Sequence, residues 1–314
     1  MEFYAWYEPI SVLHTSKHSQ VLRARYKAGK DDVIQNGTNV IIKTHTTEYT
    51  SLVTAEHFRR EYNIGKIINS SENSSNVVRY LSLLEKKTDA GQAIAIVIED
   101  YTCKSLLSII PQGGFDVATF LNHSIQITKG LLSVHDCRIV HKDIKPSNII
   151  IDDNSHIMLI DFGCASQLQE EVEKTPVKSI QRIYGTLAYV SPEQTGRINR
   201  TIDFRSDFYS LGITFYQLLS GKLPFQTNEI MKLVYCHIAS KLPPLPSHLP
   251  KVIVDIINKL TMKDCEDRYQ SCKIPFILLT HNHTRSWNSI RSTKMQGVIR
   301  KRSTLYRTLS YRDT

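Results

Sequence analysis

Two short polar clusters, separated by two short apolar runs, constrain the fold of this chain more than any other feature. The first is His141-Lys142-Asp143-Ile144-Lys145-Pro146-Ser147-Asn148, and the second is Asp161-Phe162-Gly163. The runs between them, Ile149-Ile150-Ile151 and Ile157-Met158-Leu159-Ile160, are bounded by polar residues and predict a small hairpin. The sequence therefore predicts two polar loops that are carried by one hairpin.

These clusters resemble the catalytic loop H-R-D-x-x-x-x-N and the metal-binding D-F-G of protein kinases. Phosphoryl transfer from ATP needs a carboxylate that receives the hydroxyl proton and Mg²⁺ ligands that neutralise the phosphate charge. The resemblance assigns the first task to Asp143, with Lys145 beside it, and the second to Asn148 and Asp161. It implies ATP and Mg²⁺ as cofactors and a protein as substrate.

Other positions of the family match upstream of the catalytic loop. Lys43, at the end of Val40-Ile41-Ile42-Lys43, resembles the lysine of V-A-I-K that neutralises the α- and β-phosphates. Glu61 lies on a predicted helix and is the expected ion-pair partner of Lys43. The resemblance further assigns four residues to the nucleotide site, with the adenine received by backbone groups of the segment 98–101: Val21, Glu99, Tyr101 and Ile150.

Three downstream segments match parts of the family that serve its architecture. Ser191-Pro192-Glu193 resembles A-P-E, and Arg268 matches the arginine that pairs with that glutamate. Asp207-Phe208-Tyr209-Ser210-Leu211-Gly212 resembles the start of the central helix in the large lobe. We expect a buried ion pair and a loop anchor from these residues. Lys145, together with Thr186, is typical of Ser/Thr kinases rather than of Tyr kinases.

The apolar periodicity changes from strand-like to helical near residue 100. Residues 1–98 predict short strands and one helix at 54–68, whereas longer helical periods follow at 117–136, 206–220 and 250–261. This order predicts an α+β, bilobal, protein-kinase-like fold over residues 8–272. The small lobe would span about 8–98 and the large lobe about 102–272.

One run narrows the resemblance to a branch of the family. Gln194-Thr195-Gly196-Arg197-Ile198-Asn199-Arg200 is similar to the kinase-like domain at the N-terminus of fungal and bacterial hybrid sensor histidine kinases. Fungal members sense peroxide stress, so the resemblance implies stress signalling and a phosphorelay partner. No phosphorylatable H-box histidine or receiver aspartate can be assigned, and we expect no phosphorelay chemistry within these 314 residues.

Two departures from the family keep alternatives open. The three positions of the Gly-rich loop hold His14, Ser16 and Ser19, although glycines let a backbone approach phosphate closely. Lys142 replaces the arginine that precedes the catalytic aspartate. The main alternative to an active Ser/Thr kinase is a pseudokinase that binds nucleotide or partners without turnover. A truncated signalling protein that competes for partners is a second alternative.

The positive charge is concentrated at the end of the chain. Residues 281–314 hold eight Lys or Arg against one acidic residue, which accounts for +7 of the net +9. We predict that residues 273–314 form a separate, basic and disordered tail without helical or strand period. A basic tail can contact acidic partners, membranes or nucleic acid, but a solvated end is the favoured interpretation, and we expect no specific nucleic-acid partner.

Hydropathy and cysteine usage indicate a cytoplasmic protein. No apolar run approaches the roughly 20 residues that cross a bilayer. The N-terminus has no basic region followed by an apolar core, so no secretory signal is expected. The six cysteines form no C-x-x-C pair, which is typical of reduced thiols in a cytosolic protein.

Overall fold

Strands dominate the first part of the chain and helices the second. The computed structural model describes residues 5–16, 19–27, 34–45, 52–88, 91–168 and 187–284. Its strands are β1 (Tyr7–Thr15), β2 (Ser19–Tyr26), β3 (Asn39–His45), β4 (Tyr80–Thr88), β5 (Gly91–Glu99), β6 (Lys104–Ser105), β7 (Ile139–Val140), β8 (Ile149–Ile151), β9 (Ile157–Leu159) and β10 (Ser166–Gln167). Its helices are α1 (Leu52–Ser70), α2 (Val117–Asp136), α3 (Phe204–Ser220), α4 (Ile230–Ala239), α5 (Lys251–Leu260) and α6 (Lys273–Thr284).

The small lobe is one antiparallel sheet with a helix against it. Its five strands have the order β1-β2-β3-β5-β4. Because successive side chains of a strand point to opposite faces, Leu22 and Ile42 are buried in one cluster while Val21 and Lys43 share the other face. Helix α1 packs on β4 and β5.

Helix α1 shows why its glutamate is found in the interior. Ala55, Phe58, Ile64 and Ile68 are buried at the spacing of one helical face. Glu61 lies on that same face and is buried with them. A carboxylate among apolar side chains requires a cationic or hydrogen-bonding partner, so this position indicates a specific contact.

The large lobe is built around helix α3. Fourteen consecutive residues of α3, from Ser206 to Leu219, are buried, as expected of a helix that neighbours cover on all sides. Asp203 caps its N-terminus by accepting from the Arg205 N–H, and Gly221 ends it with a φ of 72°. The predicted helices at 117–136, 206–220 and 250–261 are confirmed, as is the hairpin β8–β9 between the polar clusters. Helix α4 was not predicted.

The α+β kinase-like fold is confirmed, but the prediction of a disordered tail from residue 273 is wrong at its beginning. Residues Lys273–Thr284 form α6, which packs against α2. Leu279 is fully buried, and the Cys272 thiol donates to the Thr128 carbonyl oxygen over 3.4 Å. The continuous apolar run 274–279 contains Pro275 and hides a helical period, but proline is tolerated in a first turn. Residues 285–314 lie outside the described part of the chain.

None of the helices in the described residues is long and apolar enough to span a bilayer.

The predicted ion pair of Arg268 is confirmed, and it uses the full donor capacity of the guanidinium. Nη1 and Nη2 of Arg268 donate to Oε1 and Oε2 of Glu193 over 2.6 and 2.9 Å. The other three N–H groups donate to the carbonyl oxygens of Met262, Lys263 and Arg205. The Arg268 side chain is 0 % exposed, so the whole group is removed from water.

Replacing Leu279 should show that α6 belongs to the folded domain. Leu279→Ala leaves a cavity at a fully buried site, so the free energy of unfolding should fall by about 2–5 kcal/mol. Ile277→Ala is the matched control, because Ile277 lies on the same helix with 40 % exposure. Urea unfolding followed by circular dichroism measures both variants. Equal, small losses in the two variants would contradict the packing of α6.

Breaking the buried ion pair should destabilise the large lobe in a pH-dependent way. Arg268→Met leaves the Glu193 carboxylate buried without its cation, which should cost about 3–5 kcal/mol at neutral pH. Burial acts to raise the pKa of Glu193, but Arg268 outweighs it and holds that pKa below the ordinary 4.5. The contribution of the pair is therefore complete above this ordinary value and is lost as the pH falls through the lowered pKa.

The difference in unfolding free energy between wild type and Arg268→Met should narrow as the pH falls. Narrowing begins above the ordinary value of 4.5, because burial without the cation raises the pKa of Glu193 in Arg268→Met, and it continues as the wild-type pair is lost through its lowered pKa. Arg268→Met combined with Glu193→Met serves as the control, because it removes the uncompensated charge and should lose less stability than Arg268→Met alone. A difference that stays constant into acid would disprove the assignment to this pair.

Candidate active site

The Lys43 side chain contacts residues of both lobes. It lies on β3, opposite Val21 of β2 and Ile96 of β5. Its Nζ donates to both carboxylate oxygens of Glu61 over 2.8 Å and to Oδ1 of Asp161 over 2.7 Å. The predicted pair of Lys43 with Glu61 is confirmed, and the same ammonium also reaches the predicted metal ligand.

The Lys43 and Asp161 charges stabilise each other, whereas burial raises the pKa of Glu61 above its ordinary value despite the nearby ammonium. Burial acts to lower the pKa of Lys43, but the Asp161 and Glu61 carboxylates outweigh it and raise that pKa above its ordinary value. Burial acts to raise the pKa of Asp161, and the Lys43 ammonium outweighs it, lowering that pKa to about 2. Both groups therefore remain charged at every physiological pH.

Tyr80 orients Glu61, which the sequence did not indicate. The Tyr80 hydroxyl donates to Oε1 of Glu61 over 3.3 Å. The Tyr80 ring lies against Gly65, where any Cβ would collide with it. The buried Phe162 ring packs 5.9 Å from the Tyr80 ring. A glycine one turn after Glu61 was the available signal, because it permits close approach of an aromatic ring.

The two carboxylate oxygens of Asp143, in the loop 141–148, differ in their hydrogen bonding. Oδ2 of Asp143 accepts from Lys145 Nζ over 2.7 Å and from Asn148 Nδ2 over 2.8 Å. Asn148 Nδ2 also donates to the Asp143 carbonyl oxygen over 2.9 Å. Oδ1 of Asp143 is buried and has no hydrogen-bond partner within the described residues. A buried carboxylate oxygen without a donor needs one from outside the described residues.

Helix α3 holds this loop through the side chain of Asp207. Asp207 is 0 % exposed and accepts from the backbone N–H groups of His141 and Lys142 over 2.9 and 2.7 Å. His135 Nε2 lies 2.8 Å from the same carboxylate. The predicted loop anchor in Asp207 is confirmed, whereas the contribution of His135 was not foreseen.

Asn148 and Asp161 fit a magnesium ion by the chemistry of their remaining atoms. The amide nitrogen of Asn148 is engaged by Asp143, which leaves its amide oxygen as acceptor. Oδ1 of Asp161 accepts a hydrogen bond from Lys43, and the Asp161 side chain is 41 % exposed. Mg²⁺ prefers oxygen ligands and is commonly held by one or two protein groups plus phosphate and water.

The residues assigned to adenine come from both the small and the large lobe. Val21 and Ile150 are half-buried on β2 and β8. The Tyr101 hydroxyl donates to Oε2 of Glu99 over 2.9 Å, so these side chains pair with each other. This arrangement agrees with recognition of adenine through backbone groups, which stays a prediction.

A further ion pair fixes the connection between the lobes. Arg23 Nε donates to Oδ2 of Asp100 over 2.6 Å, and the Asp100 side chain is 2 % exposed. Asp100 also accepts from the Thr102 N–H over 2.8 Å. Sequence reasoning missed this pair, because Arg23 and Asp100 are adjacent only in the folded chain.

In the turn between β1 and β2, Ser16 and Ser19 form hydrogen bonds with each other. Ser16 Oγ accepts from the Ser19 N–H over 3.0 Å, and the two hydroxyls lie 3.1 Å apart. The Ser16 N–H donates to the Ser19 carbonyl oxygen over 2.8 Å. These bonds keep the two hydroxyls within the turn, where glycines of the usual loop would expose backbone N–H groups. Thr186 lies outside the described residues.

Comparisons with known proteins agree with this geometry. A family described as protein kinase domain matches residues 26–277. A probable serine/threonine-protein kinase of Clostridium acetobutylicum is 29% identical over 80% of this chain and 39% of its own length. The serine/threonine-protein kinase pkn2 of Myxococcus xanthus is 30% identical over 80% of this chain and 31% of its own length.

A relative of the sensor type is also found. Hybrid signal transduction histidine kinase G of Dictyostelium discoideum is 29% identical over 50% of this chain and 6% of its own length. The chain thus spans well under half the length of these three curated relatives. Since the family match covers most of the residues, this chain belongs to the protein kinase family.

Proposed function

We propose that this chain is a protein Ser/Thr kinase that transfers the γ-phosphoryl group of ATP with the help of Mg²⁺. One observation carries the proposal: Lys43 contacts Glu61 and Asp161 simultaneously while Oδ1 of Asp143 is buried without a partner among the described residues. The contacts of Lys43 orient its ammonium group toward phosphate, and the unpartnered Oδ1 of Asp143 is an acceptor for a hydroxyl proton. Curated relatives named serine/threonine-protein kinases support the same activity.

The residues divide the reaction between them. Oδ1 of Asp143 orients the substrate hydroxyl and accepts its proton. Lys145 and Asn148 hold the other oxygen, so the carboxylate cannot rotate away from the hydroxyl. Lys43 is aimed by Glu61 and meets the phosphates of the nucleotide. Asn148 and Asp161 would hold Mg²⁺, which supplies charge neutralisation for the transferred group when it is bound.

The self-satisfied turn between β1 and β2 favours a second candidate function. Ser16 and Ser19 bond to each other, so their own backbone N–H groups are engaged and not available to phosphate. A nucleotide-binding module without turnover would have the same turn. The complete set of Lys43, Asp143, Asn148 and Asp161 supports the active enzyme, and we expect catalysis that is slow but real.

We further propose a signalling context for this kinase. The Gln194–Arg200 run resembles hybrid sensor kinases, and one relative carries the name hybrid signal transduction histidine kinase. A phosphorelay protein and a stress signal are therefore the proposed partner and input. The six cysteines are free, which supports the proposed location in the reducing cytoplasm.

Nucleotide binding should raise the thermal stability of the protein in a metal-dependent way. At about 100 times its dissociation constant, Mg·ATP should add roughly 2.7 kcal/mol to the free energy of unfolding. Differential scanning fluorimetry with ATP, with and without Mg²⁺, measures this shift. Asp161→Asn should lose the magnesium-dependent part, because it removes the charged ligand. A wild type that does not respond to millimolar Mg·ATP would contradict both candidate functions.

Phosphoryl transfer should depend on Asp143 while nucleotide binding does not. Asp143→Asn removes the proton acceptor and should lower the transfer rate by about 10²- to 10⁴-fold. The dissociation constant of ATP should change little, because Asp143 faces the substrate hydroxyl. Autophosphorylation with radiolabelled ATP, followed by phosphoamino-acid analysis, measures rate and residue type. Equal rates in wild type and Asp143→Asn would favour the binding module, and phosphotyrosine would contradict the Ser/Thr assignment.

A further inference from the structure

Lys142, the residue before the proposed proton acceptor, has a backbone conformation that lysine rarely adopts. Its φ is 66°, in the left-handed region. This region costs a non-glycine residue roughly 1–2 kcal/mol, and such strain persists only where the surroundings impose it. Because Lys142 and Asp143 are consecutive, the φ of Lys142 helps decide where the Asp143 carboxylate lies.

Both polar groups of the Lys142 backbone are held by side chains from elsewhere in the large lobe. The Lys142 N–H donates to Oδ1 of Asp207 over 2.7 Å. The Lys142 carbonyl oxygen accepts from Nε2 of Gln194 over 2.9 Å. Asp207 belongs to α3, whereas Gln194 follows the Ser191-Pro192-Glu193 segment. Two separate elements therefore fix one strained residue.

Gln194 is itself fixed at its position. Its Oε1 accepts from the Ser191 N–H over 3.1 Å and from the Ser191 hydroxyl over 2.9 Å. Its neighbour Glu193 is bound by Arg268 and accepts from the Ser206 hydroxyl over 2.8 Å. The side-chain amide is thus presented from a rigid turn and has little freedom to move.

An amide side chain, with a donor and an acceptor side by side, satisfies both ends of this contact. The Lys142 carbonyl can only accept a hydrogen bond, and the Ser191 N–H can only donate one. The orientation of the Gln194 amide follows from that requirement, with nitrogen toward Lys142 and oxygen toward Ser191. A glutamate at position 194 keeps the acceptor but loses the donor, and a leucine loses both.

We infer that Gln194 is a positioning residue that holds Lys142 in its left-handed conformation and thereby places Asp143 for phosphoryl transfer. This inference rests on the proposed kinase activity. It gives a physical task to a residue of the Gln-Thr-Gly-Arg run that neither the catalytic loop nor the buried ion pair explains. It also links Ser191 of the S-P-E segment mechanically to the catalytic carboxylate.

Steady-state kinetics of the full chain test the inference. Gln194→Leu should lower kcat about 10- to 100-fold, since a small misplacement of a reacting group is costly. The KM for ATP should stay within about twofold, because Lys43 and Asp161 are untouched. Gln194→Glu should match Gln194→Leu, because neither side chain can donate to the Lys142 carbonyl.

Thr195→Val is the matched control. The Thr195 hydroxyl donates to the Pro192 carbonyl oxygen over 2.6 Å, within the same turn but away from the catalytic loop. Loss of that bond should lower the melting temperature about as much as Gln194→Leu, with kcat near the wild-type value. A kcat in Thr195→Val as low as that of Gln194→Leu would reduce the role of Gln194 to general stability and overturn the inference.

A second-site substitution separates positioning from other effects. Asn enters the left-handed region more readily than lysine, so Lys142→Asn needs less restraint. In the Lys142→Asn background, the fold-loss of kcat from Gln194→Leu should be at least about threefold smaller than in the Lys142 background. An equal loss in both backgrounds would show that Gln194 does not act through the conformation of residue 142.

Hydrogen exchange provides a readout without turnover. Mass spectrometry of peptides covering residues 141–148 should show faster amide exchange in Gln194→Leu than in Thr195→Val or wild type. If wild type transfers no phosphate, the proposed activity fails, while this comparison still decides whether Gln194 holds the loop. Unchanged exchange in Gln194→Leu would overturn the inference even in an active enzyme.

Discussion

One ammonium group, Lys43 Nζ, makes the contact on which the cleft depends. It bonds Glu61 from helix α1 and Asp161 from the loop after β9. The Lys43 and Glu61 side chains are largely removed from water, and such charges are stable only if each finds its partner, so the small lobe, α1 and the loop of Asp161 meet at one point. The Tyr80 hydroxyl on Glu61 and the Phe162 ring beside Tyr80 complete the interior around it.

The large lobe supplies a rigid base for this cleft. Helix α3 is buried on nearly every side, and its Asp207 holds two consecutive backbone N–H groups of the catalytic loop. All five N–H groups of Arg268 donate hydrogen bonds, two to the Glu193 carboxylate and three to backbone carbonyl oxygens. The catalytic loop is therefore fixed by groups that form part of the core, and its strained backbone is maintained by that core.

The chain combines a hydrogen-bonded set of the proposed catalytic residues with an unusual turn between β1 and β2. Lys43, Asp143, Asn148 and Asp161, the proposed phosphate clamp, base and metal ligands, are joined by short hydrogen bonds. The turn between β1 and β2 is held by paired serine hydroxyls instead of exposed glycine backbone. In the proposed kinase, stabilisation of the transition state would thus depend more on Lys43 than on this turn.

The sequence by itself determined the residue types and the order of the elements. Spacing within His141–Asn148 and Asp161–Gly163 identified the site, because those contacts are local or span one hairpin. Helices with a clear apolar period, such as α2, were located to the residue. Helix α6 was missed because its apolar run shows no period, and only packing against α2 reveals why it is helical.

Tertiary structure alone decided which distant groups meet. Tyr80 on Glu61, Arg23 on Asp100 and Gln194 on Lys142 join residues that are 19, 77 and 52 positions apart. No periodicity of the chain encodes such pairs, since they follow from the closure of the core around charged and strained groups. The sequence fixes which atoms are available to donate and accept, and the packed core fixes which of them come within hydrogen-bond distance.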